Sequence, residues 1–368
     1  MHPASESELA EVIAAARDPL RILGGGTRQI GRPISGQPLC TRRITGITLY
    51  EPGALTLVAR AGTPLAEIEA AVEAEGQRLP FEPMDHRRLL GLSGIPTVGG
   101  MVAANASGPR RVQAGACRDS LIGVRFVDGR GTVVKNGGRV MKNVTGYDLV
   151  KLMAGAWGTL GVLSEVAFKL LPRPETEATL LMEGLQPTAA VAAMAAALGS
   201  PFEVSGAAHL PDGRTLLRLE GFASSVAYRA QAMAARLGAH GSAALLDPAT
   251  SAALWQEVRD VAPFHGRKGD VWRVSTRATD APGLLARAGG EAMLDWGGAL
   301  AWLLVPEGTD LRARLGAFGG HATLIRASLE TRASLPAFQP EPGPVATLSA
   351  GLRKRFDPRS ILNPGLMT

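Results

Sequence analysis

Cysteine is scarce in this chain of 368 residues, and its scarcity excludes two kinds of site. Cys40 and Cys117 are the only cysteines, and they lie far apart in the sequence. They offer neither a disulfide framework nor the spacing of a zinc site, and such low usage is typical of a reducing compartment. We interpret each as a small buried or surface residue, and we expect the protein to be cytoplasmic.

Long apolar runs and clusters of charge are also lacking. No apolar stretch approaches the ~20 residues that a membrane-spanning helix needs, and residues 1–8 lack the basic and apolar regions of a signal peptide. The formal net charge is +6, but the basic residues are scattered and are not interleaved with aromatic side chains. This distribution argues against nucleic acid as a partner. We therefore expect a soluble protein, long enough for two domains, that reaches the inner face of a membrane only through partners.

Glycine, in contrast, is abundant and concentrated in three places. Three glycines follow a short apolar run at residues 24–26, three more fall within residues 96–111, and four fall within residues 141–174. Glycine lets a backbone turn tightly and come close to a large flat ligand, and successive backbone N–H groups bind a pyrophosphate without lysine. The pattern favours an extended cofactor with a pyrophosphate. A purely structural use of the glycines is the alternative.

Two other nucleotide-binding motifs are not present. A Rossmann fingerprint needs a third glycine at position 29, but Gln29 stands there, and no helix with a matching acidic residue follows. No Walker loop occurs either. A Rossmann or P-loop nucleotide site is therefore not expected.

Hydrophobic periodicity predicts an α+β first domain over residues 1–175. A capping box at Ser5 to Glu8 precedes the first helix, and Asp128-Gly129 forms the turn of a hairpin. Helices are predicted at residues 9–16, 65–75 and 147–153, and strands at residues 20–23, 55–61, 122–127, 132–134 and 160–171. The last strand stops at Pro172-Arg173-Pro174, which we interpret as a domain boundary.

The order strand, helix, strand, strand, helix, strand occurs twice in residues 176–328. The first set has strands at 178–182, 203–209, 215–219 and 242–246, with helices at 188–198 and 224–237. The second has strands at 271–276, 291–296, 298–305 and 321–325, with helices at 281–288 and 310–318. This is the order of a ferredoxin-like unit, so we expect a cap domain with both halves in one wide sheet. Residues 329–346 are predicted to be a linker, and residues 347–368 a short basic helix and a tail near the cofactor.

The glycine-rich stretches resemble those of flavoproteins of the vanillyl-alcohol oxidase type, which have a PCMH-type FAD-binding domain of two α+β halves. The similar segments are residues 24–27, 96–105 and 158–162. The similarity implies FAD as the cofactor. Members that bind FAD covalently do so through a histidine beside the first loop, where this chain has Thr27, Arg28 and Gln29. Non-covalent FAD is therefore expected, with Cys117 as the outside candidate for attachment.

Other segments are similar to a narrower group. Residues 140–149 and the closing residues 361–365 resemble the D-2-hydroxyacid dehydrogenase branch, and residues 79–83 and 106–111 resemble the smaller FAD-binding subunits of bacterial glycolate oxidases. The resemblance implies oxidation of a small-molecule 2-hydroxy acid within a complex. Its expected partners are a larger homologous FAD subunit and an iron–sulfur subunit that takes the electrons on.

The resemblance also indicates which residues hold FAD. Residues 23–27 would bind the pyrophosphate through backbone N–H groups and the Thr27 hydroxyl, residues 97–100 would hold its other side, and residues 161–162 would lie against the adenine or ribose edge. The predicted cofactor-binding residues are Leu23, Gly24, Gly25, Gly26, Thr27, Pro96, Thr97, Val98, Gly99, Gly100, Ala103, Asn105, Gly108, Gly161, Val162 and Asn363.

The chain departs from the catalytic members of the branch, which share a His-Gly-Asp-Gly-x-x-His stretch that holds a metal. Of its six histidines only His321 stands at a comparable place, and one imidazole cannot build a two-histidine site. We therefore predict no metal. The candidate catalytic residues are His321, and Arg273 and Arg110 as anchors for the substrate carboxylate. A purely structural role is the alternative for each.

Three functions follow from these patterns. The first is an FAD-binding subunit of a glycolate-oxidising complex. The second is a self-sufficient FAD-dependent D-2-hydroxyacid dehydrogenase that uses arginines and His321, against which the missing histidine pair argues. The third is a non-catalytic scaffold, against which the intact glycine loops argue.

Overall fold

The chain folds into an α+β domain, the predicted flavin domain, followed by a cap, in a computed structural model that describes residues 1–138 and 146–367. The helices of the first part are α1 (Glu6–Ala15), α2 (Leu65–Ala74), α3 (Arg87–Leu90), α4 (Val98–Ala103), α5 (Arg111–Ala114), α6 (Cys117–Ser120) and α7 (Leu149–Met153). Its strands are β1 (Leu20–Leu23), β2 (Gln37–Cys40), β3 (Ile47–Glu51), β4 (Thr56–Arg60), β5 (Gln77–Arg78), β6 (Leu121–Val127), β7 (Val133–Gly137), β8 (Val162–Lys169) and β9 (Leu171–Pro172).

A five-stranded antiparallel sheet forms the centre of this first part, in the order β3-β4-β8-β6-β7. The predicted hairpin around Asp128 is confirmed, because β6 pairs with β7 from Val127 and Val133 onwards. Apolar side chains from the sheet pack against α2 and α4 in one buried cluster that includes Phe126 and Phe168. The sheet thereby supports the glycine-rich loops that lead into and out of these helices.

Strand β1 lies apart from this sheet and pairs in parallel with β2. The side chain of Ser5 caps α1 by accepting a hydrogen bond from Glu8 N, as the capping box predicts. The C-terminal tail returns to β1, where Leu362 forms a parallel bridge with Leu20. The end of the chain therefore lies beside the first glycine-rich loop, in agreement with the predicted return of the tail to the flavin domain.

The cap consists of two ferredoxin-like halves, as predicted. Its strands are β10 (Thr176–Met182), β11 (Gly206–His209), β12 (Thr215–Gly221), β13 (Ala244–Leu246), β14 (Asp270–Thr276), β15 (Glu291–Asp295), β16 (Leu300–Val305) and β17 (Gly320–Arg326). Its helices are α8 (Pro187–Leu198), α9 (Ala223–Leu237), α10 (Pro248–Asp260), α11 (Ala281–Ala288) and α12 (Leu311–Leu315). The two halves join at β11 and β15, which gives one eight-stranded sheet in the order β13-β10-β12-β11-β15-β16-β14-β17.

The two faces of the cap sheet have different neighbours. On one face, Trp272 and the apolar side chains that point the same way from the other strands pack against the cap helices in one cluster. The opposite face meets the flavin domain through a second cluster that contains Trp302 from the cap and Met84 from the flavin domain. Because side chains alternate along a strand, Arg218 on β12 and Arg273 on β14 lie on this second face, toward the flavin domain.

Several elements were not predicted. Helix α10 joins the two ferredoxin-like halves, and residues 98–103 form a helix where none was predicted. The predicted linker contains α13 (Leu329–Ser334) and the first turn of α14 (Gly343–Phe356). Residues 140–145 of the segment that resembles the dehydrogenase branch, Lys142 among them, lie outside the described residues. None of the helices in the described ranges is both long and apolar enough to cross a bilayer.

Candidate functional site

A cavity of about 350 Å³ lies where the glycine-rich loops, the C-terminal tail and α13 meet. Its lining is strongly basic, because four arginines and no aspartate or glutamate of the described residues contribute to it. The four are Arg21, Arg28, Arg32 and Arg332. A basic cavity bordered by glycine-rich backbone suits an anionic ligand of extended shape.

The first two glycine-rich loops form the cavity wall by packing against each other. A Cβ on Gly25 would stand 1.5 Å from the carbonyl oxygen of Ile95, and one on Gly24 would stand 2.6 Å from Thr97 Oγ1. Gly26 has a φ of +72° and nothing within 4 Å of its Cβ position, which leaves its backbone open. Glycine is therefore needed for close contact with the backbone at Gly25, for close approach of the Thr97 side chain at Gly24, and for a left-handed conformation at Gly26.

The C-terminal tail fixes the wall on the other side. Asn363 Oδ1 accepts a hydrogen bond from Ile22 N at 2.7 Å, and its Nδ2 donates to the carbonyl of Trp157 at 2.8 Å. The Trp157 ring in turn packs edge-on against Phe338, which follows α13, with 5.5 Å between ring centroids. Asn363 thus joins β1 to the segment before β8, and both border the cavity.

Most of the predicted cofactor-binding residues line this cavity. They are Leu23, Gly24, Gly25, Gly26, Thr27, Thr97, Gly99, Gly100, Ala103, Gly161, Val162 and Asn363. Their contacts with FAD stay predictions.

Four predicted cofactor-binding residues lie elsewhere. Pro96 accepts a hydrogen bond from Leu65 N through its carbonyl oxygen, and Val98 is fully buried. Asn105 Oδ1 accepts from Arg118 N. Gly108 lies against the cap, where its carbonyl oxygen accepts from Trp296 Nε1 at 3.1 Å. These four residues support the cavity wall or the domain interface and do not border the cavity.

FAD fits the residues present. Its diphosphate matches the basic lining, and the space beside Gly26 leaves room for close approach to the backbone. No histidine or cysteine contributes to the cavity lining in the described part of the chain, which agrees with non-covalent binding. Cys117 is fully buried, and burial raises the pKa of its thiol well above the usual range. A protonated, buried thiol is a poor nucleophile.

Arg110, a predicted carboxylate anchor, lies in a buried cluster of charges between the two domains. Its guanidinium binds Glu82 at 3.2 Å and Glu220 at 3.0 Å, and Arg218 binds Glu82 at 2.9 Å. Arg78 adds a third cation, 2.5 Å from Glu220. Burial alone would raise the pKa of Glu220, but the surrounding arginines outweigh it and hold that pKa well below its usual range. Arg110 is therefore already occupied by two carboxylates.

Arg273, in contrast, has no hydrogen-bonded acceptor or ion pair among the described residues. Its guanidinium carbon lies 5.0 Å from the centroid of the Trp296 ring, and that of Arg111 from α5 lies 4.4 Å from the same ring. Burial, reinforced by the charge of Arg111, lowers the pKa of Arg273 to about 10. Neither guanidinium has an acceptor among the described residues, so each is free to bind an anion.

His321 lies on the edge strand β17, directly opposite Ser275 of β14. Ser275 and Arg273 point to the same face, so His321 shares that face with Arg273. Burial and the charges of Arg273 and Arg111 lower the pKa of His321, which keeps its imidazole neutral near pH 7. Like Arg273 and Arg110, His321 does not line the cavity.

Two features of the site were missed by sequence reasoning. Arg28 directly follows the first glycine loop and contributes its side chain to the cavity, and Arg332 reaches the same cavity from α13. The position of Arg28 in sequence was a usable signal. Arg332 carried none, because its segment was taken for a linker. Among the described residues no group of three or more His, Cys, Asp or Glu side chains could hold a metal ion.

Comparison with known proteins identifies the family. Residues 1–137 match the FAD binding domain family. The chain is 37% identical over 368 residues to the glycolate oxidase subunit GlcE of Escherichia coli (strain K12), which covers 99% of this chain and 97% of that protein. It is 32% identical over 178 residues to the glycolate oxidase subunit GlcD of Bacillus subtilis (strain 168), but this match covers 48% of the chain and 36% of that protein.

A solved structure supports the fold. The chain superimposes on alkyldihydroxyacetonephosphate synthase with a TM-score of 0.72 and 16% sequence identity, covering 99% of this chain and 76% of that one. At this identity the likeness concerns the fold alone. The near full-length match to GlcE and the match to the FAD binding domain family establish that the chain belongs to the family of the glycolate oxidase subunit GlcE and is a flavoprotein with FAD as its cofactor.

Proposed function

We propose that this chain is the FAD-binding subunit of a glycolate oxidase complex. The complex oxidises glycolate or another D-2-hydroxy acid to the 2-oxo acid and passes the electrons to an iron–sulfur subunit. The observation that carries the proposal is the similarity to GlcE over nearly the whole of both chains. The arginine-lined cavity between the glycine-rich loops supports it.

A larger homologous FAD subunit is the second expected partner. The first half of the chain is also similar to GlcD, which is named as another glycolate oxidase subunit. We assign the metal-dependent part of the chemistry to that partner, since no metal-binding cluster occurs in the described residues of this chain. Binding to such partners would also account for any association with a membrane.

The chain's own residues support binding of the substrate carboxylate. When bound, FAD supplies an acceptor for the hydride that leaves the α-carbon of the hydroxy acid. Arg273 and Arg111 are available to hold the carboxylate, because neither guanidinium has an acceptor among the described residues. His321 is neutral and can take the hydroxyl proton. Arg110 is not suited, because Glu82 and Glu220 already bind it.

Reconstitution tests the proposal. The partner subunits, purified without this chain, should not reduce an artificial electron acceptor with glycolate, and addition of the FAD-loaded chain should restore the reaction. Full glycolate oxidation by the partners alone would overturn the proposal.

A self-sufficient dehydrogenase is the second candidate, and the unpaired Arg273 and Arg111 favour it. Here the isolated holoprotein should be bleached by anaerobic glycolate or D-lactate. Arg273→Met should raise the substrate concentration for half-maximal bleaching at least tenfold. Arg277→Gln is the matched control, because Arg277 follows the same strand but is exposed and pairs with Asp280. Flavin that stays oxidised with both substrates would exclude this candidate.

A further inference from the structure

Arg28 contributes a positive charge to the cofactor cavity that no acidic residue neutralises. Its Nε donates to His86 Nδ1 at 3.3 Å, and its Nη2 donates to the carbonyl of Met84 at 3.2 Å. Within the described residues it forms no ion pair. Burial lowers the pKa of Arg28 to about 10, which leaves the guanidinium charged at neutral pH. Both of its partners are therefore uncharged acceptors.

His86 holds Arg28 in place without neutralising it. His86 Nδ1 lies 3.3 Å from both Arg28 Nε and the carbonyl oxygen of Met84. A guanidinium has no acceptor, so the contact with Arg28 is made by the tautomer in which Nδ1 is unprotonated and the ring proton is on Nε2. Burial, followed by the charge of Arg28, lowers the pKa of His86 to about 3. The imidazole thus stays neutral over the physiological range and acts as a fixed acceptor.

The acidic residue that could neutralise Arg28 is directed elsewhere. Asp85 precedes His86, but its carboxylate accepts two hydrogen bonds from Arg87 Nε, at 3.1 and 3.0 Å, and one from Arg87 Nη2 at 2.7 Å. Its backbone N–H donates to Asp260 Oδ1 at 2.9 Å. Asp85 is consequently held by Arg87 and by α10. Its charge raises the pKa of Arg28 and so opposes the effect of burial, but Asp85 forms no ion pair with Arg28 in the described structure.

A buried cation without a counter-ion is costly, and the usual remedy is a nearby carboxylate. No aspartate or glutamate of the described residues lines this cavity. An anionic group of the cofactor is the partner that would neutralise Arg28. The bound diphosphate and the reduced isoalloxazine ring are the two groups of FAD that carry such charge.

We propose that the positive charge of Arg28, which forms no ion pair among the described residues, binds an anionic group of FAD, and that His86 positions the Arg28 guanidinium. This assignment depends on FAD binding alone and goes beyond the proposed substrate and partners. It also predicts that FAD binding depends on the charge of residue 86, and not only on the ability of residue 86 to accept a hydrogen bond.

A pair of substitutions at position 86 tests this prediction. His86→Asn and His86→Asp both keep a side-chain acceptor for Arg28, but only the aspartate neutralises it. The full-length chain is stripped of FAD and refilled, and both the dissociation constant of oxidised FAD and the midpoint potential are measured. Arg28→Gln removes the charge itself. Arg60→Gln is the control, because Arg60 is an exposed cation of the same domain that does not line the cavity.

If Arg28 contacts the diphosphate, His86→Asp should bind oxidised FAD at least tenfold more weakly than His86→Asn, and Arg28→Gln at least tenfold more weakly than Arg60→Gln. If it contacts the ring, the affinity for reduced FAD should fall instead. A tenfold loss there lowers the two-electron potential by about 30 mV. Thermal unfolding of the apoproteins checks that each variant folds, and Arg28→Met, which also removes the charge, replaces Arg28→Gln if the latter does not fold.

Equal affinities and equal potentials for His86→Asp and His86→Asn would overturn the proposal. The same holds if the charge-removing Arg28 variant matches Arg60→Gln in both measurements. Tighter FAD binding by His86→Asp would likewise contradict it, because added negative charge should only weaken an anion site.

Discussion

Glu220→Gln should destabilise the protein strongly, because Glu220 is one of two carboxylates that hold three arginines together between the domains. Arg78, Arg110 and Arg218 surround it at 2.5, 3.0 and 3.8 Å, and its side chain is 3% exposed. The neutral amide leaves Glu82 as the only carboxylate for three buried cations. Removing one partner of a buried pair typically costs about 3–5 kcal/mol, so we expect a loss of that order in the free energy of unfolding.

Urea unfolding followed by circular dichroism and tryptophan fluorescence measures this loss. The matched control is Glu73→Gln, since Glu73 pairs with Arg173 at 2.5 Å but both side chains are well exposed, and an exposed pair contributes about 0–1 kcal/mol. Arg110→Gln combined with Glu220→Gln should cost less than the sum of the single changes by about 1 kcal/mol or more, because the pair interacts directly. A cost below about 1 kcal/mol for Glu220→Gln, equal to that of the control, would refute the reasoning.

Three further predictions concern single residues. Burial raises the pKa of Asp295 to about 7, so the folded state binds its proton more tightly than the unfolded state, and stability falls as pH rises from about 4 through 7. Asp295→Asn should therefore gain up to about 4 kcal/mol relative to wild type at pH 8 but not at pH 4 in urea titrations. Gly25→Ala should abolish FAD binding, measured by flavin fluorescence, because its Cβ would overlap the carbonyl of Ile95. Asn363→Asp removes the donor to Trp157 and should lower the melting temperature, corresponding to about 1–3 kcal/mol; unchanged melting would contradict the role of Asn363.

Much of the fold follows from local pattern. Each strand of the cap sheet was predicted to within a few residues, because alternating apolar positions bounded by turns determine a strand locally. Helix α10 was missed, since its two fully buried apolar side chains, Trp255 and Val258, are too few to give a clear helical period. No helix was predicted at residues 98–103, because the two glycines there weaken the helical pattern; the helix begins at the N-cap Thr97.

Part of the site was likewise predictable from the sequence, and part of it was not. The cavity-lining glycines were predictable because close approach to a ligand or to another backbone leaves glycine as the only residue that fits. The partners of the arginines were not predictable, since they are set by contacts distant in sequence. Arg110 meets Glu220 across 110 positions and is occupied, whereas Arg273 and Arg111 meet over Trp296 and are free of acceptors among the described residues. The sequence alone does not show which of these arginines has an acceptor.

The most direct test of the whole account is the flavin content of the purified chain and its response to glycolate. We predict a yellow protein with one acid-releasable FAD per chain, whose flavin is reduced by anaerobic glycolate only when the partner subunits are present. A colourless protein that takes up no added FAD would contradict the assignment of the cavity. Rapid bleaching by glycolate without partners would contradict the proposed division of work within the complex.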